Sequence, residues 1–290
     1  METVISSARQ EVRIGPGLPF VIIGERINPT GRKKLAEMLR QGDLEMVRRD
    51  AVAQVEAGAQ VVDVNVGVPG IDEPKVLVEA VQAVSEVVDV PLCIDSANPS
   101  ALEAALSVYK GKALVNSVNG EEEKLRSVLP LVKRYGAALV CLTMDDQGIP
   151  SDVEGRLEIA RRIFKRAIEA GIPPADLVFD PLVLPVSVDH RNGLVTLETL
   201  KRISEELGVN STMGASNVSF GLPDREAINA AFLVASMARG LTSAITNPLL
   251  PELRKALAAG DLVLGHDEYA ANWIRFYRAS QKAAQQSQRS

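Results

Sequence analysis

The sequence predicts a (β/α)8 TIM barrel in a single α/β domain, and three observations lead there. Eight short, near-continuous apolar runs alternate with helical stretches along the chain. Each run has an Asp or Asn at its C-terminal end. Across 290 residues there is no composition break to mark a second domain. Apolar strands separated by helices are buried on both faces and pair in parallel through right-handed crossovers. Eight such units in a chain of this length close into a barrel better than they spread into an open sheet.

Residues 1–18 end in Gly15-Pro-Gly-Leu-Pro19 and read as a turn-rich lead-in. The barrel is expected over 19–282, with the Gln- and Ser-rich residues 283–290 as a frayed tail. Residues 19–27, continuous and β-branched, form the first strand; Asn28-Pro-Thr-Gly31 is a loop, followed by helices over 32–40 and 44–57, the second closed by Gly58. The strand over 61–67 alternates informatively. Val62, Val64 and Val66 share one face, and Asp63, Asn65 and Gly67 share the other. A strand with helices outside and a polar mouth inside has this pattern.

The unit then repeats: helix 74–88, strand 91–96; helix 99–108, strand 113–118; helix 121–135 with Gly136 beyond its end, strand 138–144. Helix 153–170 is stopped by Gly171 and followed by strand 177–182. Helix 194–207 is stopped by Gly208 and followed by strand 212–218. Helix 224–239 is stopped by Gly240 and followed by strand 243–247, and helices over 251–259 and 267–282 close the chain.

A net charge of −5 argues against nucleic acid or anionic membrane as the main partner. Cys93 and Cys141 sit inside apolar runs without Cys-x-x-Cys or Cys/His ligand spacing, so neither a disulfide framework nor structural zinc is expected. They read as core filler. Free thiols make the cytoplasm the default compartment. Residues 1–10 lack an apolar h-region, and no apolar run is long enough to cross a bilayer.

In a (β/α)8 barrel the C-terminal strand ends form one mouth. Asp63, Asn65, Asp95, Asn116, Asp145, Asp180, Asn217 and Asn247 therefore meet there. Any one of them could instead be a turn or cap residue, and Asn119 and Asp145 read as structural. Acids and amides without a basic cluster do not suit a phosphate, and Gly15-Pro-Gly17 precedes a strand rather than opening a helix. Asp63, Asp95 and Asp180 could offer oxygens to a hard cation. The interleaved asparagines and the lack of a nearby His argue against it, so no metal is expected. A flat heterocycle with alternating N–H donors and ring acceptors suits the set better: a carboxylate accepts two adjacent N–H groups, and an amide gives one bond and takes one. Glu25 and Arg26 are expected to form an ion pair at the mouth, and His190 to be a solvated loop residue.

Gly24-Glu-Arg-Ile-Asn28, Asp63-Val-Asn-Val-Gly67, Asp95-Ser96, Asn116-Ser117, Phe179-Asp-Pro-Leu182 and Ser216-Asn-Val-Ser219 together resemble the pterin-binding methyltransferases. The type is that of methyltetrahydrofolate:corrinoid protein methyltransferases, similar also to the folate domain of cobalamin-dependent methionine synthase. The likeness runs in order from about Val21 to Asn247. Dihydropteroate synthases share the barrel and the Asp-Pro element. They carry Asn-x-Thr-Pro-Asp-Ser-Phe in the first loop and a Gly-Gly-Glu-Ser-Thr type second loop, where this chain has Asn28-Pro-Thr-Gly31 and Asn65-Val-Gly67.

The resemblance implies residue roles. Asp180 accepts from the 2-amino and N3–H groups of the pterin; Asn116 and Asp95 bond the other ring edges; Asn217 lies beside N5, the methyl-bearing nitrogen. Asp63 and Asn65 line the floor, Ser96 supports Asp95, and Arg225 lies near the site. Asn217, Asp95 and Asn116 are then the catalytic candidates, stabilising a protonated or hydrogen-bonded N5. The implied substrate is methyltetrahydrofolate or tetrahydrofolate. The chain has no Asp-x-His-x-x-Gly corrinoid signature and no zinc cysteines for homocysteine. Cobalamin is therefore expected on a separate corrinoid protein docking over the mouth, and family likeness suggests a homodimer. A dihydropteroate synthase-like condensing enzyme and a non-catalytic pterin-binding subunit are the alternatives. An aldolase or hydrolase would want a strand-end Lys or a His-rich metal set, and neither is present.

Overall fold

The structure, a computed structural model, describes residues 1–287. It begins with a hairpin rather than a lead-in: β1 (Thr3–Ser6) pairs antiparallel with β2 (Glu11–Ile14). The hairpin buries Ile5 and Ile14 fully, and Val12 nearly so, against Val21, Val61, Leu114, Ala138 and Val178. These five residues stand at or near the starts of barrel strands, so the hairpin plugs the end of the barrel opposite the strand C-termini. Ties to pre-strand backbone fix it there. Ser6 N donates to Lys112 O at 2.9 Å, Thr3 Oγ1 to Ala175 O at 2.5 Å, and Asn210 Nδ2 to Thr3 Oγ1 and Ile14 O, both at 2.9 Å.

The barrel strands are β3 (Val21–Ile27), β4 (Val61–Asn65), β5 (Leu92–Asp95), β6 (Leu114–Val118), β7 (Ala138–Leu142), β8 (Leu177–Asp180), β9 (Asn210–Ser211) and β10 (Ser243–Thr246). They form one sheet in the order β10-β3-β4-β5-β6-β7-β8-β9, and every adjacent pair is parallel. A bridge between Gly214 and Ile245, with Ile245 N donating to Met213 O at 3.0 Å, closes β9 onto β10. The expected (β/α)8 barrel is the observed one.

The helices are α1 (Lys33–Arg40), α2 (Glu45–Glu56), α3 (Glu73–Val87), α4 (Pro99–Val108), α5 (Glu122–Tyr135), α6 (Val153–Glu169), α7 (Asn192–Leu207), α8 (Arg225–Met237), α9 (Pro251–Val263) and α10 (Ala271–Ser287). Local chemistry sets several ends. Asp72, Asn98 and Asp152 cap α3, α4 and α6 through Lys75 N, Ser100 N and Gly155 N. Gly136 and Gly208 end α5 and α7 in the left-handed conformation. The outward valines of β4, Val62 and Val64, join Val66 in the main core between strands and helices, as the alternation requires, while Asp63 turns inward. Cys93 and Cys141 are fully buried free thiols.

Two elements differ from the sequence reading. The seventh barrel strand is two residues long, not seven: the ladder ends at Ser211 and residues Ala215–Ser219 coil into a 3-10 turn. Gly214, Ser216 and Asn217 are small or turn-forming and give the chain little reason to stay extended. At the other end α10 runs to Ser287, five residues past the expected barrel boundary at 282. The last three residues of the expected frayed tail, 288–290, lie outside the described residues.

Candidate active site

Register places the polar strand ends at one level. Asn65 stands beside Asp95 across the β4–β5 pair, and Asp95 beside Asn116 across β5–β6. Two amide-to-carboxylate hydrogen bonds follow. Asn65 Nδ2 donates to Asp95 Oδ2 at 2.9 Å, and Asn116 Nδ2 to Asp63 Oδ1 at 3.3 Å. Asn65 is held in turn, because its Oδ1 accepts from Gly67 N at 2.8 Å. Asp63 lies one layer deeper, 2% exposed, with the Cys93 thiol beside it.

Burial dominates the electrostatics. It raises the Asp63 carboxyl well above the usual carboxylate range, and the neighbouring Asp95 charge adds to the shift. Burial also moves Asp95 up to about 6, opposed by the Asn65 hydrogen bond and reinforced by Glu73. Asp63 and Asp95 therefore resist carrying two charges together.

Asp180 closes the opposite side of the mouth from the end of β8, only 6% exposed. Its Oδ1 accepts from Leu182 N at 2.7 Å, and the Gly214 N–H lies alongside the carboxylate. Burial raises its carboxyl to about 7, against the pull of those two N–H groups and of Arg156. Pro181 and Leu182, the latter at φ +61°, turn the chain back immediately after it. Thr143 donates both N and Oγ1 to the Asp180 carbonyl, each at 3.1 Å, which fixes the backbone that carries the acid.

Asn217 sits on the 3-10 turn after β9, exposed at the rim, and not on a strand as the sequence suggested. Its backbone N donates to Gly214 O at 3.4 Å, so the residue beside the Asp180 carboxylate also anchors the turn that holds Asn217. Arg225, at the start of α8, braces the same turn. Its Nε donates to Ser219 Oγ at 3.0 Å and its Nη2 to Ser216 O at 2.7 Å, with the guanidinium 5.9 Å from the Phe220 ring centre.

Two expected roles do not match the geometry. The Ser96 hydroxyl does not support Asp95; it donates to Glu73 Oε1 at 2.5 Å and accepts from Asn98 N at 3.0 Å. Successive side chains at a strand end face opposite ways, so Asp95 looks into the barrel and Ser96 toward α3. Asn65 is the partner of Asp95. Nor do Glu25 and Arg26 form a contact ion pair among the described residues. Burial raises the Glu25 carboxyl, and the charges of Arg26 and Arg225 act on it from a distance.

Other strand-end residues are structural, as expected for Asn119 and Asp145. Asn119 Oδ1 accepts from Glu121 N at 3.0 Å, and Asp145 takes the Arg162 guanidinium at 2.6 Å. Asn28 and Asn247 bind the N–H two residues on, in Thr30 and Leu249. Arg156 escaped the sequence reading, because it looks like one more charge on an amphipathic helix.

Fold and site together define a (β/α)8-barrel protein whose strand C-termini carry three buried or half-buried carboxylates interleaved with asparagine amides. Among the described residues no group of three His, Cys, Asp or Glu side chains is disposed to hold a metal ion. The chain belongs to the pterin binding enzyme family, whose profile matches residues 24–247. It is 34% identical over 267 residues to the methylcorrinoid:tetrahydrofolate methyltransferase of Eubacterium limosum, covering 89% of this chain and 96% of the relative. Solved dihydropteroate synthases share the fold at low identity. That of Xanthomonas albilineans, with 4-aminobenzoic acid, superposes with a TM-score of 0.70 at 18% identity, covering 91% of this chain and 98% of that one. That of Yersinia pestis gives 0.64 at 16% identity, covering 91% and 99%.

Proposed function

We propose that this protein is a methyltransferase that moves a methyl group between N5 of tetrahydrofolate and the cobalt of a corrinoid carried by a separate protein. The observation that carries the reading is the Asp180 carboxylate. It is buried, braced by the Leu182 N–H, and set across the mouth from the Asp95–Asn65 and Asp63–Asn116 pairs. A pterin offers two adjacent N–H donors on one edge, which one carboxylate oxygen pair accepts together. The similarity to the Eubacterium limosum enzyme supports the corrinoid and folate as the two sides of the exchange.

In this reading Asp180 holds the 2-amino and N3–H edge, while Asp95 and Asn116 bond the other ring edges over a floor of Asp63 and Asn65. Asn217 stands at the rim beside N5. When the methyl leaves N5 the nitrogen must take a proton or a strong hydrogen bond, because a bare amide anion is a poor leaving group. Attack of N5 on a methylcorrinoid passes through the same transition state in reverse, with the same charge on N5. Asn217, with its donor N–H2 and acceptor C=O on one freely turning amide, serves either direction. Exposure of Asn217 leaves N5 facing outward, where the corrinoid of a partner protein would approach. Stabilising charge on one atom with one positioned donor is worth roughly 10²–10³ in rate.

The test is anaerobic. Protein, methyltetrahydrofolate and cob(I)alamin are mixed and the Co(I) absorbance followed; the reverse run starts from methylcobalamin and tetrahydrofolate. Loss of the Co(I) band in the first run, or its appearance in the second, is the expected result. Tight folate binding with no change in either run would leave a pterin-binding subunit instead. No folate binding at all would overturn the reading.

A further inference from the structure

Arg156 is fully buried on α6, a charged side chain set within the wall of the barrel. Its hydrogen bonds go to carbonyls and a hydroxyl, not to a carboxylate. Nε donates to Pro150 O at 2.9 Å. Nη1 donates to Pro181 O and Leu182 O, both at 2.8 Å, and lies 3.4 Å from Thr196 Oγ1. Thr196 Oγ1 donates to Leu182 O as well, at 3.0 Å. Nη2 has no partner among the protein atoms. A guanidinium is an expensive group to bury for three carbonyls, since an uncharged donor could serve them.

Those carbonyls belong to the turn that aims Asp180. Leu182 adopts φ +61°, a conformation unfavourable for a residue with a Cβ, and its N–H bonds Asp180 Oδ1. Pulling Pro181 O and Leu182 O together toward α6 holds the reversal in place. We propose that Arg156 is a positioning residue for Asp180: its Nη1, bonded to both Pro181 O and Leu182 O, locks the turn that orients the carboxylate. The proposal rests on Asp180 as the ligand-binding acid of the mouth, but its geometry does not depend on which ligand binds.

Few charges bear on this pair. Arg156 on α6 is the charge that acts on Asp180 through space, alongside the Leu182 and Gly214 N–H groups. Asp152, the exposed N-cap of α6, is the other acid that acts on Arg156, and it is occupied by Gly155 N. The two amides, the arginine and burial therefore account for the environment of the carboxyl. Removing the arginine charge leaves the burial unopposed by any cation.

The experiment reads the ligand-free protein first. The Asp180 carboxyl is titrated by ¹³C NMR, assigned by its loss in Asp180→Asn, in wild type, Arg156→Met and Arg156→Lys. In Arg156→Met the midpoint should rise by about one pH unit or more, and methyltetrahydrofolate affinity at pH 7.5 should fall about tenfold. Arg156→Lys keeps a charge but, with one nitrogen, cannot hold Pro150 O and the two turn carbonyls together. Its midpoint should move by less than half of that, while affinity still falls about threefold or more. An unchanged midpoint in folded Arg156→Met overturns the proposal. If Arg156→Met does not fold, wild-type midpoint and wild-type affinity together in Arg156→Lys overturn it. If wild type binds no folate, the functional reading fails, and the ligand-free titration still decides the role of Arg156.

Discussion

Asn116 on β6 donates its amide to the Asp63 carboxylate on β4 at 3.3 Å, reaching across β5. The bond ties the floor of the mouth to its wall, and it leaves Asp63 almost wholly out of water. Burial and the Asp95 charge raise the Asp63 carboxyl in the folded protein above its value in the unfolded chain. A folded state that binds its proton more tightly gains stability as pH falls. Asp95, at about 6, and Asp180, at about 7, act with the same sign, so their combined effect falls between about pH 4 and pH 7. Asp63→Asn keeps the shape and removes the charge. Urea unfolding should show it more stable than wild type by on the order of 1–3 kcal/mol at pH 8 and by less at pH 5. A less stable variant at pH 8 would mean that the Asp63 carboxylate is satisfied as an anion.

Asp180 gives binding its own pH dependence. A carboxylate that accepts two N–H groups must be ionised, and burial holds this one protonated up to about 7 in the free protein. Methyltetrahydrofolate affinity should therefore be level above about pH 8 and fall about tenfold per pH unit below 7. Asp180→Ala should abolish binding, since both N–H groups lose their acceptor. Isothermal titration at pH 6, 7 and 8 checks the profile, and a flat one would mean that Asp180 does not bear on the ligand.

The barrel was legible because its strands carry the signal where burial demands it. Val62, Val64 and Val66 must face the helices and Asp63 must face the mouth, and a period of two records that directly. Stops such as Gly208 marked helix ends for the same reason: each is the local solution to unsatisfied backbone groups. Asn217 was legible as a polar residue after an apolar run, but its backbone was not. Whether residues 212–218 stay in the ladder depends on closure against β10 through Gly214 and Ile245, a contact the local sequence does not encode. Arg156 was invisible because α6 is rich in arginine, and only the tertiary structure turns this one inward.

The N-terminal hairpin was missed because two four-residue strands carry too few residues for a period to register. Its energetic weight is nonetheless large. Ile5 and Ile14 are fully buried against the barrel interior, where truncation leaves a cavity between the plug and strand starts. Ile5→Ala and Ile14→Ala should each cost about 2–4 kcal/mol in urea unfolding. The mouth lies at the far end of the barrel, so folate affinity measured well below the unfolding midpoint should stay within about twofold of wild type. A loss of affinity without a loss of stability would mean that the plug reaches the site.

Asn217 separates binding from chemistry. Its side chain is exposed, its turn is held by its own backbone N on Gly214 O and by Arg225 on Ser216 O and Ser219 Oγ, and none of these bonds uses its amide. Truncation should therefore leave the fold alone: the melting temperature of Asn217→Ala should stay within about 2 °C of wild type. Pterin affinity rests in the main on the Asp180 edge, so the dissociation constant for methyltetrahydrofolate should change by no more than about threefold. Turnover should fall roughly 10²–10³-fold, the worth of one positioned group acting only as charge develops at N5. Single-turnover absorbance kinetics with cob(I)alamin, run alongside calorimetry, distinguish the cases. A fall in affinity equal to the fall in rate would make Asn217 a ground-state binding residue. Wild-type turnover would remove it from the mechanism and leave Asp95 and Asn116, half-buried and already hydrogen-bonded, as the groups that meet N5.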